Sequence, residues 1–226
     1  MKPSMFNCRV SFARMEEGIG PLYPVVDDIA LLQRLLALGV RTIQLRIKDP
    51  NEPDLDAMIE EAVASGKTAK AQIFINDHWE KALAAGAYGI HLGQDDLKDA
   101  DLEAIAQAGI RLGISTRTAQ ELDLALSIAP SYLAIGHIFP TPTKVMPTPP
   151  QGTEQLAKHL KTVDGRFPTV AIGGIDLSVA SEVWQTGVDA IAVVRAVTES
   201  GDLPSTLQSF SRILTEEARH EHSASV

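Results

Sequence analysis

The 226-residue chain has a single cysteine, Cys8. That excludes an intramolecular disulfide framework and a cysteine-based zinc cluster. No run approaches the roughly 18 apolar residues that a transmembrane helix needs. The N-terminus also lacks an uninterrupted apolar stretch of the kind found in a signal peptide. The expectation is a soluble, cytoplasmic protein. Positive charge is in short supply, with 20 Lys and Arg against 29 Asp and Glu, a net −9. This argues against nucleic-acid and membrane partners. Any site for an anion must therefore concentrate its cations locally. No His/Cys cluster has zinc spacing, and no Ser-His-Asp order suggests a nucleophilic triad.

What is present is ample apolar residue content, 45%, arranged as a repeating unit. Short β-branched runs at 22–26, 42–48, 72–76, 89–92, 111–115, 132–136, 169–173 and 190–194 read as strands. Each is followed by a helical pattern, at about 29–38, 53–65, 78–85, 101–108, 118–128, 153–163, 178–184 and 204–218. Asp27-Asp28 can cap the first helix, and Gly39, Gly66 and Gly86 read as helix stops. The proline-rich run 139–150 cannot be helical. Eight such units close naturally into a barrel. An open doubly wound sheet would show fewer strands and a glycine-rich first turn. Here that turn is Val26-Asp27-Asp28. The expected fold class is α/β, a single-domain (β/α)8 TIM barrel over residues 20–219. An N-terminal arm, 1–19, precedes it and a polar tail, 220–226, follows.

The run 42–48 alternates. Ile43, Leu45 and Ile47 fall on one face, and Gln44, Arg46 and Lys48 on the other. A polar, cationic face on a buried strand is costly without partners, so it points to an anionic ligand. A solvated edge strand is the alternative. In a barrel the active site collects at the C-terminal ends of the strands. Those ends carry Tyr23; Asn76 and Asp77; His91, Gln94, Asp95 and Asp96; Ser115; His137 and the loop 140–144; Gly173-Gly174; and Val194-Arg195. Asp77 and Asp96 end neighbouring units, and two facing carboxylates are relieved by a hard cation such as Mg2+. Helix capping is the other reading, and it is preferred for Asp95. Gly173-Gly174 offers backbone N–H groups to a phosphate. Arg195 can add a forked contact there or pair with a surface carboxylate. Lys144 lies in a proline-stiffened loop able to cover a ligand, or is simply solvated. Schiff-base use of Lys48 is disfavoured by the adjacent Asp49. His91 reads as a hydrogen-bonded interior residue and His78 as a helix start. His137 reads as a ligand contact or a structural one, and His159, His220 and His222 as surface residues.

The pieces Gln44-Leu45-Arg46-Ile47-Lys48, Asn76-Asp77, His91-Leu92-Gly93-Gln94 with Asp96, Ser115, Gly136-His137 followed by Pro140-Thr141-Pro142-Thr143-Lys144, and Ile172-Gly173-Gly174-Ile175 together resemble the thiamine-phosphate synthase family. The resemblance spans about Leu22 to Val197. It implies a transferase that joins hydroxymethylpyrimidine diphosphate to a thiazole phosphate, releasing diphosphate by a dissociative route. It implies that Gln44, Leu45, Arg46, Ile47, Lys48, Asn76, Ser115 and Lys144 hold the pyrimidine diphosphate, with Arg46, Lys48, Ser115 and Lys144 acting in catalysis. Asp77 and Asp96 would bind one Mg2+ per subunit. Thr141, Pro142, Thr143, Gly173, Gly174, Val194 and Arg195 would hold the thiazole phosphate. Arg195 departs from the family, which usually carries serine there. A thiazole tautomerase and a non-catalytic phosphate-binding barrel are the competing readings, and a homo-oligomer is left open.

Overall fold

In the computed structural model, described over residues 10–15, 17–49, 51–141 and 148–215, the repeats form one closed barrel. The strands are β1 Leu22–Val26, β2 Thr42–Leu45, β3 Gln72–Asn76, β4 Gly89–Leu92, β5 Arg111–Thr116, β6 Tyr132–Gly136, β7 Thr169–Ile172 and β8 Ala190–Val193. All neighbours pair in parallel, and β8 closes on β1. The outer layer holds α1 Ile29–Ala37, α2 Leu55–Ala69, α3 Trp79–Ala85, α4 Leu102–Gln107, α5 Ala119–Ile128, α6 Gly152–Val163, α7 Ala180–Trp184, α8 Arg195–Thr198 and α9 Leu203–Ile213.

Local chemistry sets most boundaries. Asp28 caps α1 by accepting the Leu31 N–H at 2.5 Å, and Leu32, Leu35 and Leu36 are buried at helical spacing. Gly86 ends α3 in the left-handed conformation. Other boundaries differ from expectation. Gly66 does not stop α2; it lies buried within it, and a Cβ there would come 2.3 Å from Ile73 Cγ1. The missing side chain lets α2 press onto β3, and the helix runs on to Ala69. Pairing of β2 ends at Leu45 rather than at 48, although the Arg46 N–H still donates to Val26 O at 2.7 Å. Arg46 and Lys48 therefore stand on the loop beyond the strand. The short helix α8, directly after β8, was not anticipated.

Two apolar layers result. The larger lies between strands and helices and takes Ile43, Leu45 and Ile47 of the β2 region. The smaller fills the barrel, with Tyr132 packed edge to face on Tyr23 and Phe74, and Tyr23 tilted against Phe74, at centroid distances of 5.0 to 5.9 Å. Gly89 and Gly113 make room for these rings. A Cβ on either would lie 2.2 Å from Phe74 Cε1 or 2.1 Å from Tyr132 Cζ. Residues 10–15 and 17–19 show no period, yet they pack across the N-terminal mouth. Met15 joins the inner layer, Ser131 Oγ donates to Ala13 O at 2.6 Å, and Gln72 Nε2 donates to Gly18 O at 2.9 Å. With that end plugged and the middle filled by aromatic rings, the C-terminal mouth is left open.

Candidate active site

At that mouth lies a cavity of about 860 Å³. Gln44, Arg46 and Lys48 line one wall, and Asn76, Asp77 and Asp96 the next. Period-two alternation along β2 carries Gln44 inward, and Arg46 and Lys48 keep the same parity on the loop beyond it. The same parity sends the side chains of Leu45 and Ile47 outward, into the core under the helices, on the face that the alternation assigns them.

Asp77 follows β3 with φ +61, a left-handed conformation that costs a non-glycine residue about 1 kcal/mol or more. It is held there by its N–H, which donates to His91 O at 3.0 Å. Its carboxyl is pushed above the ordinary range, first by burial and then by Asp96, with Arg46 opposing. Asp77 and Asp96 thus form the strained carboxylate pair that the strand order foretold. Among the described residues no group of three or more His, Cys, Asp or Glu side chains is arranged to hold a metal. Two carboxylates with open positions suit Mg2+, which keeps waters and takes phosphate oxygens, rather than a metal enclosed wholly by protein. Asp95 is not a cap: it makes no capping bond, and its carboxylate pairs with Lys98 at 2.7 Å in solvent.

His91 is the interior hydrogen-bonded residue expected. Its Nδ1 lies 2.6 Å from Tyr132 Oη and its Nε2 2.8 Å from Ser115 Oγ. Burial, with Arg46 adding to it, holds the imidazole down at about 4, so it is neutral near pH 7. Burial likewise pushes the phenols of Tyr23 and Tyr132 up. His78 sits at the start of α3 and reaches Ile47 O at 3.2 Å. His137 is buried at the cavity wall, and its Nδ1 has no partner among the described residues. His159 is not a surface residue. It is buried with Leu156 and Val163 on one face of α6, a spacing readable in the sequence.

Across the cavity, Gly173 and Gly174 adopt φ +104 and +67. A Cβ on them would meet His137 Cβ at 2.3 Å or Pro140 O at 2.5 Å, so both the backbone and the close approach of the β6 loop require glycine. Val194 precedes α8, and Arg195 opens it, half exposed and 4.0 Å from Glu199. Thr141 lines the cavity, while Pro142, Thr143 and Lys144 lie outside the described residues. Arg117 and Asp176 also line it and were not foreseen. Arg117 lies two residues beyond Ser115, so alternation along β5 could have found it. It is pinned by Glu121 at 2.9 Å.

A family model described as thiamine monophosphate synthase matches residues 22–197. The chain belongs to that family. It is 54% identical to the thiamine-phosphate synthase of Citrobacter koseri over 181 residues, covering 80% of this chain and 85% of that one. To the thiamine-phosphate synthase of Cronobacter sakazakii it is 52% identical over 191 residues, covering 84% and 90%. A solved thiamine phosphate pyrophosphorylase from Pyrococcus furiosus superposes with a TM-score of 0.76 at 31% identity, covering 87% of this chain and 96% of that one. The family's matched span starts with β1 and ends within α8, so it contains every strand of the barrel. No helix among the described residues is long and apolar enough to cross a membrane.

Proposed function

We propose that this cavity carries out the thiamine-phosphate synthase activity of the family by stabilising a departing diphosphate. The observation that carries the reading is the meeting, in one cavity, of the Arg46 and Lys48 cations with the Asp77–Asp96 carboxylate pair. Gln44, Arg46, Lys48, Asn76 and Ser115 hold the pyrimidine diphosphate, and Lys144 joins them. Asp77 and Asp96 hold one Mg2+ per subunit. When bound, that ion adds positive charge against the leaving group. Thr141, Pro142, Thr143, Gly173, Gly174, Val194 and Arg195 hold the thiazole phosphate.

In the reaction the bond between the pyrimidine methylene carbon and the diphosphate oxygen breaks, and its electron pair leaves with the diphosphate. The thiazole nitrogen then donates its lone pair to the methylene cation, forming the new C–N bond. No nucleophile or general base of the protein is needed. The chain's contribution is fixed positive charge aimed at the developing polyanion, together with a second ring held close enough to outrun water. Residues 20–219 act as one catalytic domain. The substrates are small and water-soluble, which fits a cytoplasmic location without nucleic-acid or membrane partners.

Mixing both substrates with Mg2+ tests this. Stoichiometric diphosphate and thiamine phosphate are expected. Absence of diphosphate release with either thiazole tautomer refutes the reading, and tautomer interconversion alone would indicate an isomerase.

A further inference from the structure

Five side chains join into one buried line. Gln44 Nε2 lies 3.3 Å from Tyr23 Oη, and Tyr23 Oη lies 2.9 Å from Tyr132 Oη. Tyr132 Oη lies 2.6 Å from His91 Nδ1, and His91 Nε2 lies 2.8 Å from Ser115 Oγ. Gln44, Tyr23, Tyr132 and His91 are at most 5% exposed, so no bulk water can substitute for a missing partner. Both ends of the line reach the cavity, at Gln44 and at Ser115.

We propose that this line is a one-way hydrogen-bond relay in which Tyr132 is a positioning residue. Through His91 it turns the Ser115 hydroxyl proton into the cavity. The direction follows from counting donors. An amide nitrogen only donates, so Gln44 donates to the Tyr23 oxygen. The Tyr23 proton then has the Tyr132 oxygen as its partner. The Tyr132 proton goes on to His91 Nδ1, which must accept it. A neutral imidazole that accepts at Nδ1 carries its proton on Nε2 and donates it to Ser115 Oγ. Ser115 therefore keeps its own proton free for an acceptor in the cavity. The opposite direction would spend the Ser115 proton on His91 and present only lone pairs to a polyanion. This deepens the synthase reading and rests on it for the role of Ser115.

The His91 tautomer is the first test. Heteronuclear NMR of imidazole-labelled full-length protein, with the His91 signal assigned by its loss in His91→Gln, reads which ring nitrogen bears the proton. A proton on Nε2 is expected, and a proton on Nδ1 overturns the relay. This measurement decides the hydrogen-bond direction whether or not the parent releases diphosphate, so a failure of the synthase reading is seen separately. The second test is kinetic. Tyr132→Phe should lower kcat for diphosphate release about tenfold, the scale of one buried hydrogen bond, and leave KM for the thiazole phosphate unchanged. In a Ser115→Ala background the same substitution should change kcat by less than about twofold, because its effect is routed through Ser115. An equal loss in both backgrounds would mean that Tyr132 is only a packing residue, and would overturn the proposal.

Discussion

Gly113→Ala is expected to destabilise the barrel through a single contact. The new methyl would stand 2.1 Å from Tyr132 Cζ and 2.2 Å from Tyr132 Cε1, whereas carbon atoms rest at about 3.5–4.0 Å. The ring has little room to retreat. It packs on Phe74 at 5.0 Å, Tyr23 at 5.9 Å and His91 at 5.6 Å between centroids. Overpacking of this kind costs about 1–3 kcal/mol, and a ring enclosed on several sides belongs at the upper end. Alanine recovers only about 0.5–1 kcal/mol of strand stability relative to glycine, so the clash wins and a net loss of roughly 2 kcal/mol is expected. Urea unfolding followed by circular dichroism measures it. Gly109→Ala serves as control: nothing lies within 4 Å of its Cβ, and only its φ of +69 opposes the change, for about 1 kcal/mol. The decisive comparison places Gly113→Ala in a Tyr132→Ala background, where the loss should shrink below about 1 kcal/mol. If the loss is the same with and without the ring, the steric argument is wrong.

Three further outcomes follow from the site. Because the folded pKa of His91 is pushed down to about 4 from 6.5, the unfolded chain binds a proton between those values that the folded chain refuses. Its contribution is therefore fully present above pH 6.5 and falls away by roughly 3 kcal/mol as the pH drops to 4. The gap between parent and His91→Gln in urea titrations should narrow by that amount over this range, and parallel curves would contradict it. Asp77→Asn should reduce diphosphate release on the order of 100-fold, yet melt higher than the parent in EDTA. It removes the buried repulsion with Asp96 and places asparagine, which tolerates left-handed backbone, at φ +61; a lower melting temperature counts against the carboxylate-pair account. Arg195→Ser should retain activity and raise KM for the thiazole phosphate about fivefold, the scale of one half-exposed charged contact. An unchanged KM would mean that Arg195 serves only Glu199.

The eight strands and the residues at their ends could be read from the chain alone because they rest on short-range signals. β-branched runs, helical spacing and turn residues act over a few positions, and the rule that strand ends gather at one mouth then assembles Gln44, Arg46, Lys48, Asp77, Asp96 and Ser115. Asp95 and Asp96 illustrate the limit. They are chemically equal neighbours, and only the turn after β4 sends one towards Asp77 and the other to Lys98. Gly66 looked like a helix stop because a glycine signal does not distinguish free backbone from close packing, and Ile73 against it decides the matter. The packing of residues 10–15 and 17–19, the burial of His159 and the line from Tyr23 through Tyr132 to His91 also depend on closure. Tyr23 and Tyr132 are 109 residues apart, and Tyr132 and His91 are 41 apart. The sequence alone therefore determined the repeat, its closure into a barrel and the presence of Arg46, Lys48, Asp77 and Asp96 at its mouth, but not that of Arg117 and Asp176. Which of those groups touch, and how their protons are ordered, was decided only when strands distant in the chain were brought side by side.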